Sequence, residues 1–223
     1  MKHFLEIGMG NDYSTDATKA DGGAKVSDGA DYGIAIGHDC FADKDNSIAF
    51  GSFQKALEVH TIAEGQYFCK VERFGEKRRA FAGDNNYYSR SWFEWMGRVT
   101  PIAEPPGPNY VPITLHNQTS LNLDLVNYSA LIFNIKVIGS NENSSPDVNG
   151  YHISGVIKRG ANAGTTALVG TPIVDAWEDN TSLDFRVVAD TGNGSLVLEA
   201  LTHPSEYWRW VASGWVSEMR WTI

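Results

Sequence analysis

Ile34-Ala35-Ile36-Gly37, Ile48-Ala49-Phe50-Gly51 and Ile62-Ala63-Glu64-Gly65 are three versions of one tetrapeptide, set fourteen residues apart both times. Other columns keep the same register: Ala42 with Ala56, and Ser47 with Thr61. One period upstream of Gly37 lies Gly23, in Asp21-Gly22-Gly23, where a degenerate earlier turn fits. A fixed short period marks a stacked architecture, because a coil of so few residues cannot bury a core alone. Along a strand, side chains alternate faces. Ile34, Ile36, Ile48 and Phe50 therefore share one face, and Ala35 and Ala49 the other. The expectation is that the large groups fill the interior of a roll, while the methyl face lets a neighbouring chain approach closely. The closing glycines supply a backbone free to turn at positive φ. The polar run Asp43-Lys44-Asp45-Asn46 suits an exposed corner. Open strand edges and an alanine face both invite self-association.

The pattern resembles the head repeat of trimeric autotransporter adhesins, the YadA-like left-handed parallel β-roll. The matching segments are residues 33–37, 46–51 and 61–65. The resemblance implies three chains packed about a common axis. Glu64 departs from the pattern, standing where an apolar residue is usual, so the roll is expected to end there. Residues 1–4 lead straight into acidic, Gly-rich sequence without the apolar core of a signal peptide. No run approaches the ~18 apolar residues of a membrane span. A bacterial autotransporter is therefore not the expected whole. Tailed phages borrow the same repeat for virion proteins, and that version fits this chain, with synthesis in the host cytoplasm.

Composition agrees with an all-β chain. The 223 residues include 22 Gly and 12% aromatics, a mixture of turns and large anchoring rings. The net charge of −9 argues against nucleic acid as the main partner. Cys40 and Cys69 are too few for a disulfide scaffold and read as buried free thiols.

The charge is uneven. Residues 66–100 are basic and aromatic, with Arg73, Lys77, Arg78, Arg79 and Arg90 interleaved with Phe74, Phe81, Trp92, Phe93 and Trp95. Such interleaving suits an interface, a single-stranded nucleic-acid site, or a transition segment whose arginines offset acidic neighbours. Glu76-Lys77-Arg78-Arg79 reads as a solvated face or a grip on an acidic surface. Pro101, Pro105, Pro106, Pro108 and Pro112 then form a stiff linker.

From Val111 onward the pattern is strand after strand: residues 113–116, 131–138, 151–158, 167–174, 183–189, 196–201 and 208–216. Asp190-Thr191-Gly192-Asn193-Gly194 is a tight hairpin signal. About seven short strands predict an antiparallel sandwich or jelly-roll. Trp208, Trp210, Trp215 and Trp221 read as core or trimer-interface packing, with an aromatic glycan-binding platform as the alternative. Residues 157–170, 190–198 and 207–212 together resemble a recurrent β domain of tailed-phage structural proteins.

Catalytic signals are lacking. Residues 160–166 lack the Lys-Ser/Thr ending of a phosphate loop and precede a strand rather than a helix. The six histidines show no metal-ligand spacing. No catalytic, cofactor-binding or metal-binding residue is assigned, and no cofactor is expected. The reading is an all-β homotrimer: parallel β-roll repeats over residues 1–65, a basic and aromatic connector with its Pro-rich linker over 66–112, and an antiparallel β-sandwich or jelly-roll-like domain over 113–223. The expected role is a non-enzymatic protein on the exterior of a tailed-phage virion. Its partners would be capsid or tail proteins, and neither nucleic acid nor membrane. A capsid decoration (cement) protein is the first form of that reading. A short tail fibre contacting a host-surface receptor is the second, and a virion-associated depolymerase, with a glycosidase-type carboxylate pair left open among the plentiful carboxylates, is the third hypothesis.

Overall fold

The computed structural model describes residues 5–7, 23–27, 30–52, 54–65, 69–71, 76–80, 88–99, 110–115, 122–142, 147–201 and 206–221. The protein is all-β, with both parallel and antiparallel pairing. Helical geometry among the described residues is limited to one 3-10 turn, Ala163–Thr165. The chain divides into two compact units, Met1–Trp92 with Ser217–Trp221, and Phe93–Val216 with Thr222–Ile223.

The first unit alternates between two parallel ladders. One contains β1 (Leu5–Ile7), β3 (Ile34–His38), β5 (Ile48–Ser52), β7 (Ile62–Gly65) and β9 (Lys77–Ala80). The other contains β2 (Lys25–Val26), β4 (Phe41–Ala42), β6 (Gln54–Ala56) and β8 (Cys69–Val71). The sequence period is the register itself: Ile34 pairs with Ile48 and Ala35 with Ala49, then Ile48 with Ile62 and Ala49 with Ala63. The ladder continues past Gly65, where the repeat was expected to stop, because β9 pairs with β7 and sets Arg78 beside Ala63.

The facing of these strands is the reverse of the expectation. Ala35, Ala49 and Ala63 are fully buried and form one cluster with Ala42 and Ala56 of the other ladder, Val26, Ala30 and Cys40. The large side chains point outward, and Phe50 is 50% exposed. Connector length explains the inversion. One residue separates β5 from β6, a step spanning at most about 7 Å. Ordinary face-packed sheets lie ~10 Å apart. A gap so tightly bridged takes methyl groups and excludes isoleucine and phenylalanine.

The corners repeat with the same period. Tyr32, Asn46 and His60 hold positive φ of 60, 56 and 58°. The buried hydroxyls of Ser47 and Thr61 donate to the carbonyls of Lys44 (2.5 Å) and Glu58 (2.6 Å). Gly37 stands at φ 127°, and a Cβ there would lie 1.8 Å from the Gly51 carbonyl oxygen, so stacking demands glycine.

Arg78 occupies the inward column after Ala63 and is 2% exposed. Its Nη2 lies 3.3 Å from Glu218 Oε2, and its Nε lies 4.0 Å from Glu76 Oε1. The Ser91 hydroxyl donates to Glu76, and Arg220 Nε lies 3.0 Å from Glu218 Oε1. Buried charges persist only when paired in this way. Ser91 belongs to β10 (Tyr88–Val99), whose first residues pair antiparallel with β9.

The second unit is antiparallel. Its strands are the remainder of β10, β11 (Tyr110–Leu115), β12 (Leu123–Asp124), β13 (Ser129–Asn141), β14 (Val148–Arg159), β15 (Ala167–Leu168), β16 (Ile173–Glu178), β17 (Phe185–Asp190), β18 (Ser195–Leu201) and most of β19 (Trp208–Arg220). β13 lies between β19 and β14, and β14 also pairs with β15 and β16. β18 pairs with β11, β12 and β17. The expected strand over 167–174 is broken: β15 ends at Leu168, Gly170 turns at φ 75°, and β16 begins at Ile173.

Alternation along β13 sends Leu131, Phe133, Ile135 and Val137 into a core shared with Phe185, Leu196 and Leu198. Trp210 is at its centre, with ring centroids 5.6 Å from Trp208, 5.4 Å from Phe185 and 6.0 Å from Tyr151. Gly139 makes the room, since a Cβ there would lie 2.3 Å from the Trp210 ring.

Candidate functional site

Two surfaces stand out, one on each unit. On the first unit, the outward columns of the longer ladder read Leu5, Ile34, Ile48, Ile62 and Ile7, Ile36, Phe50, Glu64. Leu5 and Ile7 are exposed, and the isoleucines of β3, β5 and β7 are half-buried. The shorter ladder differs. Its outward column holds Lys25, Phe41 and the exposed Lys55, with Lys70 next in register. One side is thus an apolar strip in strict register, and the other carries lysines.

On the second unit, the outer face of β13, β14 and β16 carries a groove of ≈ 970 Å³. Register sets two adjacent columns along this face, and all of their residues but Asp175 line the groove. The first is Ile138, Gly150 and Trp177. The second is Lys136, His152 and Asp175. Gly150 lies under Trp177, whose Cε3 is 3.9 Å from where a glycine Cβ would be. The indole is nonetheless 63% exposed, which leaves its other side to solvent.

His152 Nε2 lies 2.8 Å from Asn134 Nδ2, and its Nδ1 lies 3.5 Å from Asp175 Oδ2. The amide donates to Nε2, which places the ring proton on Nδ1, toward the carboxylate. The Lys136 side chain makes no hydrogen bond or ion pair among the described residues. The floor is anchored from below. The Tyr151 hydroxyl donates to Glu178 Oε1 at 2.5 Å, and burial first, then this carboxylate, push its pKa well up. Asn149 Nδ2 donates to the Asn180 carbonyl at 2.9 Å, and Asp179 Oδ2 accepts from the Val148 amide at 3.1 Å.

The features singled out from sequence fall as follows. Trp208 and Trp210 are each 1% exposed, so they are core. The platform-like tryptophan is Trp177, which has no aromatic partner in sequence to flag it. In Glu76-Lys77-Arg78-Arg79, Glu76 and Arg78 are buried and Lys77 is exposed, so the run is not simply a solvated face. Residues 160–166 form a loop around the 3-10 turn, closed by Thr165 Oγ1 donating to the Asn162 carbonyl at 2.6 Å. Cys40 is a buried free thiol whose pKa is raised by burial. Segments 66–68, 72–75, 81–87 and 101–109, with most of the basic zone's aromatics and prolines, lie outside the described residues. Among the described residues, no cluster of His, Cys, Asp and Glu suits a metal ion. No helix of the described residues is long and apolar enough to cross a membrane.

No family model matches the chain, and no curated protein matches it either.

Proposed function

We propose that this chain is a non-enzymatic structural protein of a tailed-phage particle. It acts as a homotrimer on the virion exterior, with a β-roll in the N-terminal part of the chain and an antiparallel sandwich in the C-terminal part. The observation that carries the assembly is the outward strip of Leu5, Ile7, Ile34, Ile36, Ile48 and Phe50. An exposed apolar strip in strict register is a surface to be covered, and its lysine-bearing opposite ladder is suited to water. Self-association about an axis along the strip covers all three copies at once. The placement on a phage rests on the two resemblances, to the adhesin-like roll and to the β domain of phage structural proteins.

Capsid decoration is the preferred form. The trimer would clamp the shell at local threefold positions. The test is copy number in purified particles: hundreds of copies per virion are expected, and about a dozen would instead mark a tail fibre. The fibre reading has its own supporting observation, the Trp177 groove, whose exposed indole suits contact with a host surface.

A further inference from the structure

We propose that the groove on β13, β14 and β16 is a binding site for an uncharged carbohydrate, with Trp177 as its stacking platform. Three features point to that chemistry. The first is the platform. The indole lies against Gly150 on one side and is open on the other, on an edge strand whose residues are nearly all exposed. An exposed indole offers a flat apolar surface, and with two χ angles it has little to order on binding.

The second is the adjacent polar row of Lys136, His152 and Asp175, with Asn134 behind it. It is two residues along the strands from the Trp177 column, about 7 Å away. A sugar ring stacked on the indole would therefore place its hydroxyls over the row. Lys136 and Asn134 donate, and Asp175 and the Asn134 carbonyl accept.

The third is charge. The carboxylates of Asp175, Glu178 and Asp179 oppose an anion, and no cluster of His, Cys, Asp and Glu among the described residues suits a metal ion. A neutral polyhydroxylated ligand meets both donors and acceptors without repulsion. A few convergent polar groups beside an apolar wall is the ordinary make-up of a ligand site.

The inference is independent of where on a particle the chain sits. The test is calorimetric titration of the full chain with neutral hexasaccharides of glucose, galactose and N-acetylglucosamine, up to low-millimolar concentration. Binding to at least one is expected. Trp177→Ala should weaken it about tenfold or more, Trp177→Phe should keep most of it, and Lys136→Ala should weaken it less. Melting temperature and mass of each variant should match the wild type, since both residues are exposed. The proposal is overturned if no hexasaccharide binds, or if binding is indifferent to Trp177→Ala. An unchanged trimer mass in those cases would leave the assembly reading intact.

Discussion

At the scale of single residues, backbone geometry and buried charge decide most. Gly37 combines φ 127° with a stacked carbonyl 1.8 Å from the missing Cβ. Gly37→Ala should therefore cost more than about 3 kcal/mol in chemical denaturation, beyond an ordinary surface change. Arg78 faces Glu76 and Glu218 in a buried site. Arg78→Ala leaves both carboxylates buried without that cation, and a loss of about 3–5 kcal/mol is expected. Asp190 tests the hairpin. Hydrogen bonds from the Asn193 side chain first, then from the Gly192 and Asn193 amides, hold its carboxyl below the usual range. A depressed folded pKa stabilises the ionised form. The contribution is thus full above the unfolded value near ~3.9 and is lost as pH falls through the folded one. Asp190→Ala should cost no more than about 1 kcal/mol at pH 7, because the site is exposed. Thermal melts of variant and wild type should converge as the pH falls through that depressed folded value.

At the scale of elements, the repeat was legible and its facing was not. The fourteen-residue columns Ile34/Ile48/Ile62 and Ala35/Ala49/Ala63 became the register residue for residue. Alternation told which side chains travel together, but not which set goes inside. That was settled by the one-residue link between β5 and β6, a constraint that composition does not carry. The same alternation in β13 had an unambiguous sense, since Leu131, Phe133, Ile135 and Val137 face a core wide enough for rings. The split of β15 from β16 was legible in Gly170-Thr171-Pro172, a breaker sequence that the single strand over 167–174 overran. The corrected facing predicts opposite outcomes at adjacent residues. Ala49→Trp should overfill the gap between ladders and unfold the first unit, seen as lost strand signal and a lowered melting temperature. Phe50→Glu should leave that unit folded and separate the chains, seen as a fall in mass at unchanged circular dichroism.

At the scale of the whole molecule, the sequence carried the class and the order of parallel and antiparallel halves, because periodicity and turn chemistry are local. It did not carry the Trp177 groove, which exists only once β13, β14 and β16 align Gly150, His152 and Asp175 beside it. Nor did it expose the buried cluster around Arg78 and Glu76, because Ser91 and Glu218 reach it from segments distant in sequence. The central claim is that the apolar strip of the first unit is covered by two further copies of the same chain. Multi-angle light scattering of the full chain, at micromolar concentration, measures this directly. The account predicts a single species of three times the 24.5 kDa chain mass. A folded species at 24.5 kDa, with Leu5, Ile7 and Phe50 open to water, would contradict it.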